Sequence, residues 1–156
     1  MRLISNSVQD TLNIGKAMAE ILQKGDIVCL FGELGSGKTV LTKGIALGLG
    51  VKKTPINSPS FVLIRQYAGG KIPLYHFDLY RLKALKDIMS LGCEEYFYDE
   101  GITVIEWADR LNYLLPEEFI KIELSFRTGS KRQLRFSAFG GRYKKILKRI
   151  HANIRH

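Results

Sequence analysis

Long apolar stretches are missing from this chain. No run approaches the ~20 residues that a membrane-crossing helix needs, which excludes such a span. The opening residues, Met1-Arg2-Leu3-Ile4-Ser5-Asn6, also lack the apolar core of a secretory signal. The expectation is a cytosolic protein with no membrane association. Cysteine is scarce: Cys29 and Cys93 are the only two, and no metal-type spacing relates them. They read as reduced structural thiols. Acidic residues vanish from one region. Residues 127–156 hold ten Lys or Arg and no Asp or Glu, whereas residues 1–126 hold 14 basic and 15 acidic groups. The net charge of +9 therefore resides in the last thirty residues. Repeats, low-complexity segments and inter-domain linkers are absent as well. At 156 residues, 46% hydrophobic and 25% charged, the chain has the composition of one globular domain with a core of its own.

What is present centres on residues 32–39, Gly-Glu-Leu-Gly-Ser-Gly-Lys-Thr. The pattern is Gly, four variable residues, Gly, Lys and Ser or Thr, and its flanks suit it. The apolar run Ile27-Val28-Cys29-Leu30-Phe31 reads as a buried strand before it. Residues 40–49 follow, with Leu41, Ile45, Gly48 and Leu49 on one helical face. A strand, a glycine loop and a helix in that order form a phosphate cradle, because backbone N–H groups turn inward and the helix N-terminus adds its positive dipole end. Lys38 would reach the outer phosphates and the Thr39 hydroxyl would hold Mg²⁺.

Around this unit, residues 7–24 read as a helix with Ile14, Met18, Ile21 and Leu22 on one face, and Gly25 stops it. Residues 61–67 and 72–79 read as an antiparallel hairpin turned by Gly69-Gly70. A short helix over 82–91 ends at Gly92. Further strands are expected at 102–105, 119–126 and 133–138, and the tail from Arg142 carries a helical stripe of Tyr143, Ile146, Leu147, Ile150 and Ile154. The architecture is a three-layer α/β domain of the phosphate-loop NTPase type, with a mixed, mostly parallel sheet and antiparallel additions. Residues 1–140 form the domain, and 141–156 are a basic amphipathic helix that belongs to it or trails from it.

A phosphate loop needs partners for the metal and the terminal phosphate, and carboxylates at strand ends supply them. Asp78 lies in His76-Phe77-Asp78-Leu79-Tyr80-Arg81, where alternation puts His76, Asp78 and Tyr80 on one face. Three polar side chains there point to a site, with an exposed edge face as the plainer alternative. Glu106 closes the strand 102–105, the position of a Walker-B-type acid. It can hold the metal or orient the attacking water, or be an ordinary strand-terminal Glu. Trp107, the only tryptophan, either stacks near the nucleotide or fills core space, with core the plainer reading. Ser58-Pro59-Ser60 is either a switch that senses the phosphate or a plain turn. Lys131 and Arg132 sit between the last two strands, where they reach a base or phosphate or simply lie in solvent. No Asn/Thr-Lys-x-Asp segment of the guanine-specific kind is present, which favours an adenine nucleotide.

Together, residues 32–39, Ser58-Pro59-Ser60-Phe61, His76-Phe77-Asp78-Leu79-Tyr80-Arg81, the segment around Gly92 and Glu106-Trp107 resemble the TsaE (YjeE) family in order and approximate spacing. The resemblance covers roughly residues 7–135. It implies a small ATPase needed for the threonylcarbamoyladenosine modification of tRNA, working with TsaD and TsaB proteins. It also implies that Glu33, Leu34, Gly35, Ser36, Gly37, Lys38 and Thr39 bind ATP, and that Thr39 and Glu106 are the Mg²⁺ ligands. Asp78 resembles the family acid beside the γ-phosphate, Thr11 a threonine near the base, and Lys131 or Arg132 a basic nucleotide contact. Ser60 replaces a common Thr, Ala108 replaces a common Pro, and the tail is more basic than the family pattern.

Two other functions compete at this stage. A small metabolite kinase shares the loop, but no Arg-rich lid separates the strands and little chain remains for an acceptor pocket. An RNA-binding module would use Lys144, Lys145, Lys148 and Arg149 for phosphates, where the plainer reading is a packed helix with its cations in water.

Overall fold

In the computed structural model, residues 1–52, 63–97 and 99–155 are described. Strand β1 is Arg2–Ser5 and helix α1 is Val8–Ala19. Ser7 caps α1 by accepting a hydrogen bond from the Asp10 backbone N–H, as a residue with a short side-chain hydroxyl does at this position. The helix stops at Ala19, earlier than the apolar spacing suggests, because residues 20–25 turn back toward the sheet. Strand β2 (Ile27–Phe31) leads through the glycine loop into α2 (Lys38–Gly48), then β3 (Ile64–Tyr67) and β4 (Leu74–Asp78). Helix α3 (Leu85–Met89), strand β5 (Ile102–Glu106), strands β6 (Phe119–Phe126) and β7 (Arg132–Phe139) and helix α4 (Gly141–Ile154) complete the order. Two 3₁₀ segments flank β5, a single turn over Cys93–Glu95 before it and a kinked stretch over Ala108–Leu114 after it. Strand β4 and helix α3 are shorter than the sequence suggests, residues 61 and 62 of the expected hairpin strand lie outside the described residues, and Arg132 belongs to β7 rather than to the loop before it.

The seven strands form one sheet in the order β1-β7-β6-β2-β5-β4-β3. The four central strands are mutually parallel, while β3, β7 and β1 attach antiparallel at the two sides. Alternation along β2 separates two cores. Val28 and Leu30 face the layer of α1, α2 and α4, while Ile27 and Cys29 face α3 and the 3₁₀ segments. Burial raises the Cys29 and Cys93 thiols, the latter to about 11, in keeping with inert structural thiols.

Small residues set the distance between α1 and α2. A methyl group on Gly15 would stand 2.5 Å from the Leu41 carbonyl oxygen, and one on Gly48 would stand 2.6 Å from Ala19 Cβ. Helix α4 packs its stripe of Tyr143, Ile146 and Ile150 into the same core. The Tyr143 hydroxyl accepts from the Ile27 N–H at 3.0 Å, and Arg142 pairs with buried Asp26 at 2.7 Å. These contacts tie the C-terminal helix to the start of β2. Among the described residues no helix is long and apolar enough to cross a membrane.

Candidate phosphate-binding site

The loop of residues 32–37 sits at the C-terminal end of β2, between the ends of β5 and β6. Ligands of open parallel sheets collect at this edge. Gly37 caps α2 with φ 107°, a backbone angle that favours glycine, and this turn aims the first N–H groups of α2 into the loop. Gly32 is confined in another way, since a Cβ there would stand 2.5 Å from the Leu124 carbonyl oxygen of β6.

Lys38 folds back over its own loop. Its ammonium donates to the carbonyl oxygens of Gly32 (2.6 Å) and Glu33 (2.9 Å) and stands 3.5 Å from Ser36 Oγ. It also lies 4.2 Å from the centre of the Trp107 ring. Burial lowers its pKa, opposed by the charges of Glu106, Asp78 and Asp109. An ammonium so held is desolvated and already paired, and an arriving phosphate would exchange carbonyl partners for anionic ones.

The two carboxylates chosen from the sequence are neighbours. Asp78 of β4 and Glu106 of β5 are register partners at the ends of adjacent parallel strands, so both side chains face the α2 side. Glu106 is the hub. Its Oε2 accepts from the Thr39 hydroxyl at 2.9 Å, and its Oε1 lies 2.7 Å from His76 Nε2 and 3.5 Å from Thr42 Oγ1. Asp78 accepts from the Tyr80 N–H at 3.0 Å. Leu34, Gly35, Lys38, Thr39, Asp78, Tyr80, Glu106 and Trp107 line a single open pocket of about 290 Å³. The exposed-edge alternative for β4 fails, because β4 lies between β5 and β3 and every residue in it is buried.

Trp107 combines the two readings the sequence allowed. It is half-buried against the core on the α3 side and also lines the pocket, with Tyr80 5.0 Å away between ring centres. Its backbone is left-handed, φ 56°, an uncommon conformation for a bulky residue that is found at functional sites. Two further residues escaped sequence reasoning. His76 was seen as one of three polar residues, with nothing to reveal that it holds Glu106. Thr42 follows Thr39 by three residues, one helical turn along the same face, which was the available signal.

Thr11 and Arg132 flank the loop on its other side. Thr11 is buried, its hydroxyl 2.7 Å from Ser5 Oγ, and its methyl group faces Gly37. Arg132 stacks its guanidinium 4.5 Å from the Phe126 ring centre, and Phe126 lies beside Gly35. Lys131 is exposed. The segment Ser58-Pro59-Ser60-Phe61 lies outside the described residues.

The family model described as "Threonylcarbamoyl adenosine biosynthesis protein TsaE" matches residues 5–134. A relative of that name from Bacillus subtilis (strain 168) is 38% identical, over 94% of this chain and 92% of its own. Another from Treponema pallidum (strain Nichols) is 41% identical, over 86% of this chain and 98% of its own. A crystal structure of Bacillus subtilis YdiB superposes with a TM-score of 0.85 at 32% identity, covering 97% of this chain and 94% of that one.

Proposed function

The chain belongs to the TsaE family, and from that premise we propose that it binds ATP with Mg²⁺ at the glycine loop and hydrolyses the nucleotide in support of the threonylcarbamoyladenosine modification of tRNA. The observation that carries this reading is the 2.9 Å hydrogen bond from Thr39 to Glu106. It joins the last residue of the loop motif to the acid at the end of the neighbouring strand, the pairing a Mg²⁺-dependent phosphate loop uses.

The donor set fits Mg²⁺. The Thr39 hydroxyl donates its hydrogen bond to Glu106 and keeps its lone pairs free, and Glu106 and Asp78 add hard carboxylate oxygens. Among the described residues no group of three or more His, Cys, Asp or Glu side chains gathers, so the ion would share its coordination with phosphate oxygens and water. Bound there, Mg²⁺ neutralises charge that develops on the phosphates. Glu106 and Thr39 would hold the ion, Lys38 would move from the loop carbonyls to the outer phosphates, and Asp78 would orient the attacking water. On the far side of the loop, the base is received between Thr11 and the Phe126–Arg132 stack, which favours Arg132 over Lys131 as the contact. The loop residues 33–37 supply backbone N–H groups to the phosphates.

Turnover by the chain alone is slow, because charge on the transferred group lacks a dedicated arginine unless Arg81 or a partner provides one. TsaD- and TsaB-type proteins are the partners, and the setting is the cytoplasm. Phosphate release from Mg·ATP, measured with the chain alone and with those partners added, tests the proposal. Release that partners stimulate, and that Glu106→Gln and Thr39→Ala abolish, is the expected result. Transfer of the phosphate to a small metabolite would overturn it in favour of a kinase.

A further inference from the structure

Helix α4 carries charge that the fold does not neutralise. Lys144, Lys145, Lys148, Arg149 and Arg155 are all exposed. Among the described residues the one ion pair that α4 makes is Arg142 with Asp26. The spacing sets like charges side by side, since Lys144 with Lys148 and Lys145 with Arg149 are each four residues apart, where neighbours on a helix surface repel. The first turn adds to this. It contains no acidic residue and places Lys144 and Lys145 at the end where the peptide dipoles are positive.

None of these cations is needed for docking, which Tyr143, Ile146 and Ile150 already achieve from the opposite face. The helix thus carries an electrostatic penalty that an anionic partner would relieve. The flank bearing Lys144, Lys148 and His151 also forms the basic rim of a groove of about 610 Å³ whose floor is largely apolar, from Met1, Phe136, Ala138 and Leu147. Cations repeated along one exposed helix face match the regular charge of a nucleic-acid backbone better than the scattered carboxylates of a protein surface.

We propose that the outer face of α4 is an RNA-binding surface that takes the phosphate backbone of a structured RNA. The choice of RNA rests on the family's place in tRNA modification, whereas the surface itself is argued from charge alone. Arg142 and Tyr143 fasten α4 to the start of β2, and the glycine loop lies beyond the opposite end of that strand. The first turn of α4, with Lys144 and Lys145, is therefore at the end of the sheet away from the nucleotide pocket, while the last turn reaches α1 through Asn153 and Ile154.

Fluorescence anisotropy of a labelled tRNA transcript with the full chain, across a KCl series, tests this. The double variants Lys144→Gln/Lys148→Gln and Lys145→Gln/Arg149→Gln should each weaken binding about tenfold or more at low salt. Each should also lower the magnitude of the log–log salt slope by about two, close to one per phosphate contact removed. A control pair on the other side of the sheet, Lys83→Gln/Lys86→Gln, should change both far less. Thermal midpoints of the α4 variants should stay level or rise, because repulsion is removed, and ATP hydrolysis by the chain alone should be unchanged. The proposal is overturned if wild type does not bind the transcript, or if the α4 variants bind it as wild type does. It is equally overturned if they lose only the protein partners. Loss of ATP hydrolysis with α4-dependent RNA binding intact would instead sink the ATPase reading and leave this surface standing.

Discussion

His76 Nε2 lies 2.7 Å from Glu106 Oε1, with His76 fully buried in β4 and Glu106 2% exposed at the end of β5. A carboxylate accepts hydrogen bonds, so His76 donates through Nε2–H. The bond occupies Oε1 and turns Oε2 toward Thr39. His76 is in this way a positioning residue for the proposed Mg²⁺ ligand, in the manner of outer-shell groups that orient metal-binding carboxylates.

His76→Ala should therefore raise the Mg²⁺ concentration needed for half-maximal ATP hydrolysis by about 10-fold or more, with little change in ADP affinity measured without Mg²⁺. His76→Gln, whose amide can donate from a similar position, should recover most of the loss. An equal drop in both affinities, unrescued by Gln, would show that His76 merely supports the fold.

Trp107 reports on the pocket. Lys38 Nζ sits 4.2 Å above its ring, and phosphate binding must draw that ammonium away. As Trp107 is the only tryptophan, its emission should shift on titration with ATP or ADP, and Lys38→Ala should remove most of the response. A flat titration, with binding confirmed by calorimetry, would mean that Lys38 stays on the ring and does not contact the phosphates.

How far the sequence disclosed this site depends on the kind of signal each residue sends. The loop was legible because its glycines and Lys-Thr sit at fixed spacing between a strand and a helix. Glu106 and Asp78 were legible because strand ends in parallel sheets face ligands. Their side-by-side register was not, since which strand lies beside which is a tertiary matter, and the link from His76 to Glu106 followed it out of view. For Trp107 the sequence left core and pocket as alternatives, because a lone tryptophan between a strand and a turn suits either. Its left-handed backbone and its place on both the core and the pocket lining are tertiary features that no local pattern announces. Helix ends at Ala19 and at Leu85–Met89 fell short of the apolar spacing for a related reason. The remaining apolar residues pack from turns as well as they would from helix.

The close approach of α1 and α2 makes a steric prediction. A methyl group on Gly44 would meet the Leu12 carbonyl oxygen and stand 3.0 Å from Gly15 Cα. Backbone cannot yield as a side-chain tip can, so Gly44→Ala should destabilise the protein by about 1–3 kcal/mol, as overpacking does. Because α1 also holds Thr11 against Gly37, nucleotide affinity should fall in the same variant. Unchanged unfolding in urea would show that the two helices separate at little cost.

The ion pair that anchors α4 makes a prediction with a pH signature. Asp26 is fully buried and Arg142 47% exposed, 2.7 Å apart. Burial raises the Asp26 pKa, while the Gln23 N–H and then the Arg142 charge pull it down. A carboxyl raised on folding is stabilised in its protonated form, so its contribution is greatest at low pH and declines as pH climbs toward the folded pKa. Arg142→Ala removes one of the two restraints and pushes Asp26 higher still. At pH 7 the variant must bury an ionised carboxylate without its cation, or protonate it, and should lose about 2 kcal/mol. That is less than the ~3–5 kcal/mol of a broken fully buried pair, since Arg142 is half in water. Once the pH falls below the folded pKa, Asp26 is protonated in both proteins and the deficit should shrink. Denaturant unfolding at pH 7 and pH 4 measures the two gaps, and a deficit that stayed constant with pH would assign the role of Arg142 to packing rather than charge.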